Sequence, residues 1–374
     1  MSAKKASPHS IKHTLMIIST AVLMTGASFF FAYGGLPDLL SVTYSQIASS
    51  TQKNSGPASP PPLDRLAYDT KLLWLAHVAT SSPGYSAFLQ PNASSSASNT
   101  PKLWPVRAAY PRDSRALLPF NRIIAYYGNF YSRGMGVLGQ YDPPEMLSRL
   151  KDAVAQWKAA DPETPVIPAI HYIAIVAQGS AGKDGKYRTR MPDSEIDKAL
   201  TLAKEIDGIV FLDLQVGLSD LPSEVPVYEE YLKLPNVHLG LDPEFAMHNG
   251  TPPGRVIGTF DASDINYAAQ YLANLVRTYD LPPKILVIHR FTGNMLTNYK
   301  KIEPLPEVQV VIDMDGWGGG AKKKGTYNQV VYPEPVQFAG FKLFYKNDTL
   351  ASTTLLTPRE VLELTPAPVY IQYQ

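Results

Sequence analysis

The sequence predicts a closed (β/α)8 barrel of the TIM type, set behind an N-terminal transmembrane helix and a disordered linker. Three observations carry that expectation. Eight short β-rich runs recur between residues 122 and 374 with helical stretches between most of them, the alternation that builds a parallel sheet. Near the N-terminus lies an apolar segment about as long as a bilayer core, roughly 20 residues. Between these regions the chain is rich in Ser, Pro, Gln and Ala and has too little apolar surface to fold.

Residues 1–13 read as a basic cytoplasmic N-terminus, with Lys4, Lys5 and Lys12 ahead of TLMIISTAVLMTGASFFFAYGGL. Residues 14–36 form a signal-anchor helix by this reading. The run exceeds the roughly 7–15 residues of a signal-peptide core and no A-x-A site follows it, which favours an uncleaved anchor over a cleaved signal and a secreted product. Residues 37–63 are the Ser/Pro-rich linker, ending in SGPASPPPLD, and would hold a folded domain outside the cytoplasm. Residues 64–121 combine a helical pattern, Leu66 to Thr80, with a loose segment, both expected to pack on a barrel spanning 122–374.

Within the barrel, strands are expected at Arg122 to Gly128, Val166 to Val176, Ile209 to Gln215, Val237 to Asp242, Lys284 to Phe291, Val308 to Asp315, Phe338 to Tyr345 and Val369 to Gln374. Each is a short run of β-branched and aromatic residues bounded by turn formers. Helices are expected at Pro143 to Ala160 behind an Asp142 cap, Asp193 to Glu205, Ser223 to Leu234, and Ala262 to Tyr279 behind an Asp261 cap. Shorter ones are expected around Asn294 to Lys301, after the lysine run, and at Pro358 to Leu364. No helix follows the eighth strand, so Leu66 to Thr80 is the candidate to cover the wall left bare there.

Composition narrows the function. The chain has 374 residues, 45% hydrophobic and 18% charged, as globular proteins have. A net charge of +1, with no basic run beyond Lys322 to Lys324, argues against nucleic acid as a partner. The absence of cysteine excludes disulfides, thiolate metal sites and thiol nucleophiles together. DGWGGGAKKKG fails the G-x-x-x-x-G-K-[ST] spacing, so no nucleotide is expected; neither is a cofactor or a metal.

Side chains alternate across a strand, so residues two apart share a face. Asp242 and Glu244 therefore stand together, opposite Val237, Leu239 and Leu241, and Asp313 stands with Asp315. Asp213 pairs with Gln215 in the same way. Late in their strands also come Tyr126 and Tyr127, His171 and Tyr172, and His289 and Arg290. Barrel chemistry gathers at the C-terminal strand ends, so these residues are expected to converge on one pocket. Taken singly each has a plainer role: an acid caps a helix, a histidine is satisfied in the core, a tyrosine packs. Together they favour a site, because burying several carboxylates without purpose costs stability. Trp317, in the glycine-rich loop, either stacks on a sugar ring or packs as an ordinary tryptophan, while residues 179–190 read as a mobile, solvated basic loop.

The runs IIAYYGN, GVLGQY, PVIPAIHYIAIVA, IVFLDLQVG, GLDPEF, PGRVIGTFDASDIN, ILVIHRF and VIDMDGWG resemble a family of uncharacterised bacterial exported or membrane-anchored proteins with a glycoside-hydrolase-like barrel. The likeness covers Arg122 to Tyr332 and implies fold and location rather than an activity. A looser likeness, to barrel muramidases, rests on Asp242-Pro-Glu244 and on Gln372-Tyr373; Tyr126 and Tyr127 stand where such enzymes carry an aspartate.

The leading expectation is a membrane-anchored glycan hydrolase using carboxylate acid/base chemistry. Glu244 is the acid, raised by the neighbouring Asp242, and Asp313 or Asp213 is its partner. Asp242 completes the catalytic set. Tyr126, Tyr127, His171, Tyr172, Gln215, His289, Arg290, Asp315 and Trp317 are the residues expected to bind the sugar. Two other classes stay open: a barrel that binds glycan without cleaving it, and a hydrolase holding a divalent ion between His171, His289, Asp213, Asp242 and Asp313.

Overall fold

The computed structural model describes residues 59–89, 103–106, 108–350 and 354–374. The expected anchor at 14–36 and most of the linker lie outside the described residues. Among the described residues no helix is long and apolar enough to cross a membrane.

Eight strands run parallel: β1 Arg122–Gly128, β2 Val166–Ala177, β3 Ile209–Leu214, β4 Val237–Leu241, β5 Lys284–Arg290, β6 Val308–Met314, β7 Phe338–Leu343 and β8 Tyr370–Tyr373. Each pairs with the next, and β8 returns to β1 with Ile123 opposite Tyr370 and Tyr126 opposite Tyr373, so the sheet closes. The chain is a (β/α)8 barrel. Nearly every strand residue is buried, as a parallel sheet sandwiched between helices and its own interior requires.

The helices expected at 143–160, 193–205 and 262–279 form with little change. α2, Pro143–Ala160, starts where the Asp142 side chain accepts from the Glu145 N–H at 3.1 Å, with proline in the first turn; it buries Met146, Leu147, Leu150, Val154 and Trp157 along one stripe. α3 is Asp193–Lys204, and α4, Ala262–Tyr279, opens with a capping box between Asp261 and Asp264. α5 is Gly320–Val330 and α6 is Pro358–Leu362.

Three helical expectations are corrected. Ser223 to Leu234 is not one helix but three short pieces, Leu221–Glu224, the 3-10 turn Val225–Tyr228 and Glu229–Leu232, where Pro226 has no N–H for a helical ladder. α1, Arg65–Leu75, ends before Thr80 and does not cover the wall beside β8. Its Tyr68, Leu72 and Leu75 pack with Ile123, Ala125, Ala169, Phe211, Ile285 and Phe338, inward residues that include the N-terminal layer of the strands. It plugs the bottom of the barrel. The outer face of β8 is covered by α2 instead, whose Trp157 Nε1–H donates to Tyr373 OH at 2.9 Å.

After β5 the expected helix at Asn294 to Lys301 is replaced by short 3-10 turns around Leu296–Thr297, which pair with Phe260–Asp261. Asn298 adopts a left-handed φ of 55°, and its side chain and the Thr297 hydroxyl bind Asp261. The irregular backbone leaves carbonyls without helical partners. Arg290, on the outward face of β5, donates to the carbonyls of Thr292, Gly293, Leu296 and Val330.

Candidate functional site

Closure turns Tyr127, His171, Asp213, Gln215, Asp242, His289, Asp313, Asp315 and Lys342 inward at or near the C-terminal ends of the strands. They stand in two layers. The upper one lines an open cavity of about 630 Å³ with Tyr127, Gln215, Asp242, Glu244, Asp315, Trp317 and Lys342. The lower one, His171, Asp213, His289 and Asp313, is fully buried beneath the floor.

Glycine makes the lower layer possible. A Cβ on Gly240 of β4 would fall 2.4 Å from His171 Nε2 and 2.5 Å from Asp213 Oδ1, and one on Gly340 of β7 would fall 2.6 Å from Asp313 Oδ1. Only a bare backbone fits there.

Charges alternate up the barrel axis. Asp213 Oδ1 lies 3.3 Å from His171 Nε2 and 3.3 Å from His289 Nε2, and its Oδ2 accepts from Tyr127 OH at 2.9 Å. His289 Nδ1 lies 3.1 Å from Asp315 Oδ2, and Lys342 Nζ lies 3.0 Å from Asp315 Oδ1. Burial works to raise the Asp213 carboxyl, but His289 and His171 outweigh it and hold the group well below the usual carboxylate range. Burial would likewise neutralise His289; Asp213, Asp313 and Asp315 overcome it and raise the imidazole well above its ordinary value. His171 is left neutral, its burial lowering it to about 4.

The pocket acids divide. Burial would raise Asp315, but Lys342 and His289 bring it below its ordinary value. Glu244 is raised by burial and by the charge of Asp315. Burial raises Asp242 well above normal against the pull of His289, and the nearby Asp213 adds to the rise. Asp313 is raised by its burial.

The acids that end β4 serve structure and pocket at once. Asp242 Oδ1 accepts from the Glu244 N–H at 3.2 Å, capping the 3-10 turn Pro243–Phe245, while its Oδ2 accepts from Gln215 at 3.1 Å. That turn brings Glu244 to the cavity wall.

Several expected site residues stand elsewhere. Tyr126 and Tyr172 face outward: Tyr126 OH lies 2.9 Å from Tyr345 OH, and Tyr172 stacks on Phe130 at 4.9 Å. Arg290 also faces outward, in the loop contacts given above. Of each neighbouring pair only one residue can point inward, and closure selects Tyr127, His171 and His289. Asp213 and Asp313 point inward but one layer too deep to line the cavity, as do His171 and His289. The basic loop is anchored rather than solvated, since Arg188 and Arg190 both bind the fully buried Glu224, at 2.8 and 2.7 Å.

Trp317 is at the cavity edge and 53% exposed. Its loop is tied by the Gly318 N–H to Asp348 Oδ1 at 2.9 Å and by Lys323 Nζ to the Gly316 carbonyl at 2.7 Å. The sequence reading passes over Lys342 and Phe344. The signal was present: in FAGFKLF, Phe338, Gly340, Lys342 and Phe344 alternate on one face, and a lysine there must meet an acid.

The fold and this site define a (β/α)8 barrel with a carboxylate-lined pocket at its C-terminal mouth. No protein-family model and no curated protein sequence matches the chain. Among solved structures it is similar to a Bacillus subtilis mannanase at 11% identity, covering 71% of this chain and 88% of that one, with a TM-score of 0.37. It is similar also to a ruminal endo-beta-1,4-mannanase at 12%, covering 67% and 58%, TM-score 0.33. A Burkholderia cenocepacia dihydropteroate synthase stands at 9%, covering 68% and 86%, TM-score 0.30.

Proposed function

We propose that the protein cleaves glycosidic bonds, with Glu244 as the acid that protonates the leaving oxygen and Asp315 as the ionised carboxylate acting against it. The observation that carries this is the contrast between two carboxyl groups lining one cavity. Asp315 is held by Lys342 Nζ at 3.0 Å, while burial and the charge of Asp315 favour the proton on Glu244. Glycoside cleavage asks for this division between a protonated and an ionised carboxyl group. Asp315 thereby takes the place expected for Asp313 or Asp213.

The cavity suits a sugar. Trp317 offers an apolar face for a ring to lie on, and Gln178 and Gln374 on the cavity wall supply amides for its hydroxyls. With residues 14–36 as an anchor, the substrate is a glycan of the cell envelope or its surroundings. The test is release of reducing ends from peptidoglycan, β-glucan and β-mannan by the wild type, Glu244→Gln and Asp315→Asn. Each variant should lose about 100- to 10,000-fold in rate with its fold retained. Wild-type rates in both variants would refute the assignment.

A further inference from the structure

We propose that the protein binds one divalent transition-metal ion beneath the pocket floor, between His171 Nε2, Asp213 Oδ1 and His289 Nε2. The three side chains come from β2, β3 and β5, all are fully buried, and the three atoms lie within 4.8 Å of one another. Asp213 Oδ1 is 3.3 Å from each imidazole nitrogen. Two donors about 2.1 Å from a common ion, at tetrahedral or octahedral angles, stand about 3.0–3.4 Å apart. Asp213 Oδ1 already stands at that spacing from both imidazole nitrogens.

An ion pair has the same spacing, so the far side of each residue decides between the two. His171 Nδ1 lies 2.5 Å from Tyr370 OH, His289 Nδ1 lies 3.1 Å from Asp315 Oδ2, and Asp213 Oδ2 accepts from Tyr127 OH at 2.9 Å. His171 and Asp213 each have one atom fixed by a hydrogen bond with a neighbour and the other turned toward the shared volume, while His289 Nδ1 lies close to Asp315 without an aligned hydrogen bond. Metal-binding imidazoles and carboxylates are oriented in this manner. His289 Nε2, like its Nδ1, is buried and makes no aligned hydrogen bond, although Asp213 and Asp315 are near. Such an orphaned nitrogen is costly, and an ion would satisfy it. In the ion-free state His171 Nε2–H donates to Asp213 and the His289 imidazolium carries a proton on Nε2; both protons leave to solvent as the ion enters.

Two imidazoles and a carboxylate suit Zn²⁺, Co²⁺ or Mn²⁺ better than Ca²⁺ or Mg²⁺, which take oxygen ligands. None of the three residues lines the cavity, so the ion would lie behind Tyr127 and Asp315 rather than at the reacting atoms. The ion site and the hydrolytic reading stand independently.

The experiment is titration of the chelator-treated full chain with Co²⁺ and Zn²⁺, followed by calorimetry and by the visible absorption of Co²⁺, with Mg²⁺ as the contrast. One equivalent of Co²⁺ should enter with the bands of a nitrogen- and oxygen-bound ion, and Mg²⁺ should not compete. His171→Asn and His289→Asn should each weaken uptake about 100-fold or more, and Asp315→Asn, which touches only the far side of His289, about 10-fold. No uptake by the folded wild type overturns the proposal, as does uptake that both histidine variants leave unchanged. Should those variants fail to fold, an unaltered Co²⁺ affinity in Asp315→Asn counts against the site.

Discussion

Lys342 Nζ stands 3.0 Å from Asp315 Oδ1, with both side chains almost wholly buried, and 4.0 Å from the centre of the Tyr127 ring. A buried cation between an acid and an aromatic face fixes which pocket carboxyl is the anion. It is also a structural commitment, because burial leaves each charge dependent mainly on its protein partners.

Lys342→Met should therefore destabilise the fold by about 1–3 kcal/mol, since it leaves the buried Asp315 with His289 as its one remaining cationic partner. Adding Asp315→Asn should return part of that loss. A urea-denaturation cycle over the two single variants and the double variant measures the coupling. Strict additivity would mean that the pair contributes nothing.

The pH dependence of hydrolysis follows from Glu244. Its carboxyl is raised by burial and by Asp315, and in the proposed mechanism the protonated form is the active one. Activity should persist at pH values above the ordinary glutamate range, about 4.3, and fall as pH rises through the elevated value. A kcat/KM profile whose alkaline limb lies at or below the ordinary range would contradict the role.

Trp317→Ala should raise KM by about 10-fold and leave kcat nearly intact, because an exposed indole binds sugar uniformly in ground and transition states. Stability should stay within about 0.5 kcal/mol of wild type, as for other exposed positions. Unchanged KM across the glycan panel would place the sugar elsewhere.

Arg290→Met tests the opposite kind of residue. Four carbonyls of the loop after β5 and of Val330 lose their donor, at a cost of about 3–5 kcal/mol. Specific activity of the folded fraction should not change. A thermally intact variant with impaired KM would return Arg290 to the pocket.

Much of this architecture was legible. The capped stripe of Pro143 to Ala160, the Asp261 cap and the eight apolar runs are local signals, and each formed where it was expected. Local signals failed where distant groups decided the outcome. Asn294 to Lys301 carries no strong breaker, yet pairing with Phe260–Asp261 and the reach of Arg290 hold it out of a helix. Helix α1 has an apolar stripe that fits a wall or a plug equally well, and only the open bottom of the barrel chose the plug.

By itself the sequence determined which residues share a face, Asp213 with Gln215 and Asp313 with Asp315, whereas Glu244 reaches the side of Asp242 through the 3-10 turn Pro243–Phe245 and not through strand alternation. The two strand pairs follow from the two-residue period of any strand, whatever its neighbours. The tertiary structure alone decided which face turns inward at Tyr126 and Tyr127, and which member of each pair reaches the cavity. Two residues along a strand are about 6.6 Å, the difference between Asp313 below the floor and Asp315 in the wall. Depth is set by the tilt and stagger of all eight strands on closure, a property that no single strand encodes.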